Sequence, residues 1–340
     1  MGLKECTGFV GRRLLINDLP SRRMARNAIF IPPANGPYWG LFEPSGRSVA
    51  EAMIFAGNGS GKLHNPLGST DCPELPSCPT LSDDYDYIYM GHIDPHYGHF
   101  LVGAVGRLWA LPAYERDRLR IVFSCHLSVQ ELMARDYFRV IMTALGLTEK
   151  NFLRISTPVR FRRIDVASVP FEELSLVHTI YADLMHAIGR QIIPEGGQPL
   201  PARAIYMSKE RLRNGNVRVD NESAFTAALR ERGVGIVYPE EMGFRDQIKL
   251  WASNPTVIGF SGASLHTSIF FPERRVITLA HGPDIWANQC LIDMANNNDA
   301  QYLYDANGLE HIGAGNGFNM NYRIRNPEQL ASELAEYALS

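Results

Sequence analysis

The 340-residue chain has no apolar run approaching the roughly 18 uninterrupted residues that a spanning helix needs, so a membrane-crossing protein is not expected. Cysteine is scarce. The five (Cys6, Cys72, Cys78, Cys125, Cys290) are scattered and odd in number, which suits a reducing compartment rather than a disulfide scaffold. Cys72 and Cys78 are the only near neighbours; their spacing across two prolines matches no zinc signature and predicts a surface loop with two free thiols. A basic surplus is also lacking. The formal charge of -3 gives no reason to expect nucleic acid. Charged residues near the amino terminus stand where a signal peptide would need its apolar core, so the expected location is cytoplasmic. Peripheral contact with the inner membrane face through a local basic patch stays compatible with that. There is no internal repeat and no low-complexity segment.

What is present is an apolar content of 45% with 20% charge, the balance of a soluble globular protein. The length fits two domains of roughly 150 residues each rather than one core. The densest cluster of reactive side chains is His92-Ile-Asp-Pro-His-Tyr-Gly-His99, which packs three histidines and Asp94 into eight residues. A strand-like aromatic run, Asp84 to Met90, precedes it. Pro95 donates no ladder hydrogen bond and biases Asp94 towards an extended conformation, so 92–98 reads as a loop at the strand's carboxyl end. From His99 the period becomes helical: Phe100, Leu101, Ala104, Val105, Leu108 and Leu111 share one face, predicting a helix over 99–111.

Before this cluster, Ala28–Pro32 and Tyr38–Phe42 read as strands, and Gly59-Ser-Gly-Lys62 as a plain turn lacking the spacing of a phosphate loop. With the strand at 85–90 before it, strand-like runs at 120–124 and 151–155 alternate with helical segments at 99–111 and 128–144, an α/β alternation that implies a mainly parallel sheet in this half. Leu174 to Ile193 reads as one long helix, and the Gly- and Pro-rich Pro194–Pro201 as a linker. The predicted organisation is therefore a domain over 1–194, a second over 195–325 and a terminal helix over 326–340. Asn326 is its N-cap, with Pro327 at N1 and Gln329 at N3. Strands at 204–207, 235–238, 256–260 and 276–279 alternate with helices at 222–232, 244–252 and 264–271, an α/β pattern with a mainly parallel sheet.

Two stretches of the second half fall at the same carboxyl edge of that sheet. Gly259-Phe-Ser-Gly-Ala-Ser-Leu265 joins a strand to a helix whose first-turn N–H groups suit a phosphate, with Ser261 and Ser264 as hydroxyl donors and Gly262, Ala263 and Leu265 completing the turn. Ser208-Lys-Glu-Arg-Leu-Arg213 brings Lys209, Arg211 and Arg213, cations able to neutralise a diphosphate. A tight turn of small residues and solvated loop charges are the structural alternatives. For His92, Asp94, His96 and His99 three readings stand: ligands of a zinc or iron ion, a general base among them, or hydrogen-bonded loop histidines. These give an enzyme or a non-catalytic nucleotide- or glycan-binding module, and among enzymes a transferase or a metal-dependent hydrolase.

One ordered series of motifs is more specific than any of these pieces. Tyr97-Gly-His-Phe-Leu-Val-Gly-Ala-Val-Gly-Arg-Leu-Trp-Ala-Leu111, Ile205-Tyr-Met-Ser-Lys209, Asn221-Glu222, Val237-Tyr-Pro-Glu240, Gln247 and Val257–Leu265 follow one another through Phe270, Pro272 and Val276. With Gly40–Ala52 before them, they resemble glycosyltransferase family 61 over about residues 38 to 280. The resemblance implies a GT-B architecture, two Rossmann-like domains facing across a cleft. It implies an inverting hexosyl or pentosyl transfer, independent of a bound metal, from a nucleotide-diphosphate sugar to a glycan such as a capsular polysaccharide. No further cofactor is implied. Donor binding then falls to Ser208, Lys209, Arg211, Arg213, Gly259, Ser261, Gly262, Ala263, Ser264 and Leu265. The departures are Gly103 where members often carry an acidic residue, Lys209 where arginine is usual, and Ser261, Ser264 and Thr278 where His, Gly and Glu are common. Without a carboxylate at 103 the base is expected in the loop, as His99 or Asp94, with His92 and His96 behind them.

Overall fold

A computed structural model of the chain describes residues 2–57, 65–66, 71–82, 84–198, 200–212, 217–253, 255–312 and 320–340. The fold is mixed α/β and divides into two compact units, Gly11–Ile192 and a second made of Met1–Val10 with Ile193–Ser340. The first ten residues therefore leave the amino-terminal domain to which sequence order assigned them. Leu3–Glu5 adds an antiparallel edge strand beside Asp299–Asp305 of the second unit, a pairing with no local sequence signal.

In the first unit the sheet order is Phe152–Arg154, Leu119–Ser124, Asp86–His92, Val159–Ala167, Arg22–Ile31, Gly40–Phe42, with Thr80–Leu81 also on Val159–Ala167. The expectation of a mainly parallel sheet holds only for part of it, because Val159–Ala167 and Gly40–Phe42 both run antiparallel to Arg22–Ile31. Asp86–His92 is central. Tyr87 to Met90 are buried, as a parallel strand covered on both faces requires. A bulge opposite Val122 and Phe123 skips Met90 and leaves Gly91 at φ +83°, so that His92 comes into register with Ser124.

The helix expected over 99–111 is two pieces. Tyr97–Val102 is α-helical and Ala104–Ala113 is 3-10, with Gly103 between them at φ -117°, ψ -98°. A side chain at 103 would place its Cβ 2.7 Å from the His99 carbonyl oxygen, so this break requires glycine. Similarly 128–144 breaks at Ala134 and Arg135 into Val129–Met133 and Asp136–Ala144. The long helix of 174–193 is shorter, Thr179–Ile192. Its first residues instead form Leu176–His178, a strand paired with Leu14–Ile16 and Phe171–Glu172. Cys72 is also a correction: it packs with Ile29, Ile31 and Phe42 in the interior rather than lying in a surface loop.

The second unit carries a six-stranded sheet in the order Leu3–Glu5, Asp299–Asp305, Arg275–Leu279, Thr256–Phe260, Ala204–Met207, Gly235–Val237. All but the first are parallel. Ala204–Met207 leads to Gly235–Val237 on one side and the chain then crosses back to Thr256–Phe260 on the other. Strand order thus reverses between Ala204–Met207 and Thr256–Phe260, and ligands of open α/β sheets collect at the carboxyl ends of such a pair. Pro327–Leu339 is no appendage: Leu330, Ala331, Leu334 and Ala335 pack with Phe225 and Leu229 of Glu222–Glu231 in the core of this unit. Its Asn326 side chain accepts the Gln329 N–H at 3.4 Å, the cap read from sequence.

Helix Ala287–Asn296 is locked to the sheet by buried Asp293, which accepts hydrogen bonds from Gln289 (3.0 Å), Asn298 (2.8 Å) and Tyr302 (2.9 Å). Burial pushes its carboxyl up to about 6, against the partial opposition of those donors. The folded state keeps this proton to a higher pH than the unfolded chain, whose carboxylate titrates near ~4. The stability it contributes is therefore full below about pH 4 and is lost as pH rises through about 6, on the order of 2–3 kcal/mol. Asp293→Asn should flatten the fall in melting temperature over that window.

Candidate functional site

In the first unit the bulged end of Asp86–His92 delivers the histidine loop. His92 Nδ1 lies 3.2 Å from Ser124 Oγ, and its ring meets Trp39 edge-on at 6.5 Å. Burial lowers its pKa. Asp94 closes the loop on itself: Oδ1 accepts the His96 N–H at 2.8 Å, an Asx turn, while the Tyr137 hydroxyl donates to the Pro95 carbonyl. The His96 and His99 rings stand 5.3 Å apart, and burial followed by the charge of His99 lowers the His96 pKa. His99 is different. Its side chain is 55% exposed, and its Nδ1 lies 3.3 Å from Glu173 Oε1. That hydrogen bond is the main reason its pKa is raised.

The four side chains are thus engaged separately, and among the described residues no three His, Cys, Asp or Glu groups converge as metal ligands would. The arrangement has the features of an imidazole that can take up a proton, with a carboxylate behind it. Glu173 was missed in the sequence. It stands just before the segment that reads as helix and is 74 positions from His99, so only tertiary pairing joins them.

In the second unit the two stretches read as a donor site do come together. Lys209 is half-buried and its Nζ donates to the Ser261 carbonyl at 3.0 Å. Burial lowers the amine to about 8. An ammonium carries three donors, and this contact uses one. The close approach depends on Gly262, where a Cβ would stand 3.1 Å from Nζ. Gly259 has a packing role, since a Cβ there would come 3.1 Å from the buried Leu265 side chain.

Helix Ala263–His266 is a single turn continued by the 3-10 segment Thr267–Phe270, so the dipole expected beyond Ala263 and Ser264 is that of one turn only. The Ser261 N–H is already given to the Leu279 carbonyl at 2.8 Å. Cation rather than helix end is the anion-attracting feature here. Arg211 is held elsewhere, paired with Glu241 and lying 3.8 Å over the Tyr238 ring. Arg213 lies outside the described residues, as does the Gly59–Lys62 turn.

Ser208 belongs to a hub that sequence reasoning also missed. Glu222 Oε1 accepts from the Tyr206 hydroxyl (2.7 Å), the Ser208 hydroxyl (3.1 Å) and the Lys209 backbone N–H (2.9 Å). Glu222 is 1% exposed, burial raises its pKa, and its Oε2 has no hydrogen-bond partner among the described residues. Beside it is a depression of ≈ 470 Å³ lined in part by Lys209, Arg218, Glu222, Ser223 and Asn321. His281 stacks between Phe260 at 5.8 Å and Tyr322 at 4.8 Å; burial, reinforced by Lys209, lowers it to about 4. The Asn221-Glu222 pair was visible as a motif, but a glutamate opening a helix is usually a solvated first-turn charge.

A family model, Glycosyltransferase 61, matches residues 97–278. No curated protein matches the chain. The family match runs from the residue after His96 to the strand carrying Thr278 and covers more than half of the 340 residues. It includes His99, Glu173, Lys209, Glu222 and Ser261, and the chain belongs to glycosyltransferase family 61.

Proposed function

We propose that this glycosyltransferase moves a sugar, with inversion, from a nucleotide-diphosphate donor to a hydroxyl of a glycan acceptor, without a resident metal. The observation that carries the reading is the Lys209–Ser261 contact at the point where strand order reverses, next to a depression lined by Glu222. A partly desolvated ammonium there suits the diphosphate, which gains negative charge as it leaves. Inversion needs one in-line displacement, hence a base for the acceptor hydroxyl, and the exposed His99 imidazole of the first unit suits that task. Acceptor activation in one unit and donor binding in the other is the division of labour of a GT-B enzyme. A polysaccharide acceptor, a cytoplasmic site of action and peripheral membrane contact belong to the same reading.

The test is binding, then stereochemistry. At 100-fold excess over Kd, a nucleoside diphosphate that binds only the folded chain adds about 2.7 kcal/mol, a shift of roughly 5–10 °C in melting temperature. UDP, GDP, CDP and ADP are screened first, then their sugars. Absence of any shift removes the donor site. A product with the donor's anomeric configuration, read by proton NMR, removes inversion.

A further inference from the structure

The His99 imidazole needs a group to fix its tautomer, and the chain supplies one from an unexpected segment. No side chain at 103 can do so, because a Cβ there would stand 2.7 Å from the His99 carbonyl oxygen. Asp94 Oδ1 is occupied by the His96 N–H. Glu173 reaches Nδ1 from the turn between Phe171–Glu172 and Leu176–His178. That turn is held from two sides. The Glu173 carbonyl accepts the Gly57 N–H at 2.6 Å and the Leu174 carbonyl accepts the Arg12 N–H at 2.8 Å. A Cβ on Gly57 would lie 2.3 Å from the Leu174 carbonyl oxygen, so the approach requires glycine. Leu174 itself sits at φ +56°, a left-handed conformation that a branched L-residue rarely adopts. Backbone held in a sparsely populated region by its surroundings is a feature of functional turns.

We infer that Glu173 is the positioning carboxylate of the base, holding His99 by Nδ1–H so that an unprotonated Nε2 faces the acceptor hydroxyl. The inference rests on the transferase reading above, in which His99 is that base. As the hydroxyl proton moves to Nε2, the oxygen lone pair forms the new bond to the anomeric carbon. The bond from that carbon to the diphosphate oxygen breaks, and its electron pair leaves with the diphosphate. His99 becomes an imidazolium whose Nδ1–H donates to the Glu173 carboxylate. The charged or titratable groups acting on His99 are Glu173 and Asp94, with His96 beside it.

Two measurements on the full chain separate the proposal from the reading beneath it. NMR titration of the imidazoles, assigned with His99→Gln, needs no substrate: His99 should titrate above an ordinary histidine in the wild type and at lower pH in Glu173→Gln. With a donor that turns over, Glu173→Gln should lower kcat by about 10- to 100-fold with the donor KM unchanged. The acid limb of its kcat profile should move to lower pH, and Glu173→Asp should recover part of the rate. Leu174→Gly should lower kcat without lowering the melting temperature. Identical His99 titration in wild type and Glu173→Gln overturns the positioning role. Full turnover by His99→Gln overturns the base assignment, and the positioning role with it.

Discussion

Lys209→Met is expected to lower kcat/KM by about 10²–10³-fold, or ~2.7–4 kcal/mol, the usual cost of losing one preorganised donor to a developing anion. The ammonium of Lys209 is held in one place. Its Nζ is anchored on the Ser261 carbonyl at 3.0 Å, so the charge is fixed rather than swinging in solvent. Desolvation has lowered it to about 8, so burial alone disfavours the cation at this position. A diphosphate reverses that balance. Affinity for a nucleoside diphosphate should consequently weaken as pH rises through about 8, since only the protonated amine attracts the anion. Calorimetric titration with UDP and GDP on either side of that pH checks the slope, and in Lys209→Met the slope should vanish along with most of the affinity. If binding is as tight in the variant, the diphosphate is held by other groups. Lys209→Arg is a weaker lesion: it restores charge, but the guanidinium plane must fit where Gly262 leaves 3.1 Å between a built Cβ and Nζ.

Half of that site is legible in the sequence. Short apolar strands bounded by glycine, proline or polar turns mark 204–207 and 256–260 clearly, and parallel strands put Lys209 and Ser261 at one edge. What the sequence could not carry is which cation reaches the turn. Arg211 and Lys209 look alike in a string of residues, yet Glu241 and Tyr238 hold the first while the second is drawn against Ser261. Val159–Ala167 escaped because Arg160, Arg162 and Arg163 interrupt its apolar pattern, although it pairs with three other strands. Glu173 and Glu222 escaped for a related reason. Glu173 meets its histidine across 74 positions and Glu222 its partners across 13 to 16, beyond the reach of any helix or strand period, and an isolated glutamate is by default a solvated charge. His92 to His99 were found as a cluster of types, whereas their separate engagements with Ser124, Glu173 and the His96 amide are tertiary facts.

The largest stability effect is expected at Arg107, in the segment Tyr97–Leu111 that opens the main series of motifs resembling the family. An arginine in a transferase motif invites a role on the diphosphate, but this one is 0% exposed. Nη1 donates to the carbonyls of Glu51 (2.6 Å) and Ala167 (2.5 Å), and Nη2 to those of Ala52 (2.7 Å) and Met53 (3.0 Å). The guanidinium carbon lies 5.4 Å from the centroid of the Tyr89 ring. Four carbonyl dipoles thus stand in for a counter-ion, and burial still lowers the guanidinium to about 10. The side chain ties the segment Ala104–Ala113 to Ala50–Ala52 and to the end of Val159–Ala167, and these flank the strand that delivers His92. Arg107→Met keeps the bulk and removes every donor, leaving these carbonyls without the hydrogen bonds that satisfy them. The expected cost is about 3–5 kcal/mol, or roughly 6–20 °C in melting temperature. Arg107→Lys should cost less, about 2 kcal/mol, because one ammonium has three donors and a shorter reach. Thermal denaturation measures both. A variant that melts as the wild type does, yet fails to turn over, would move Arg107 from the framework into the chemistry.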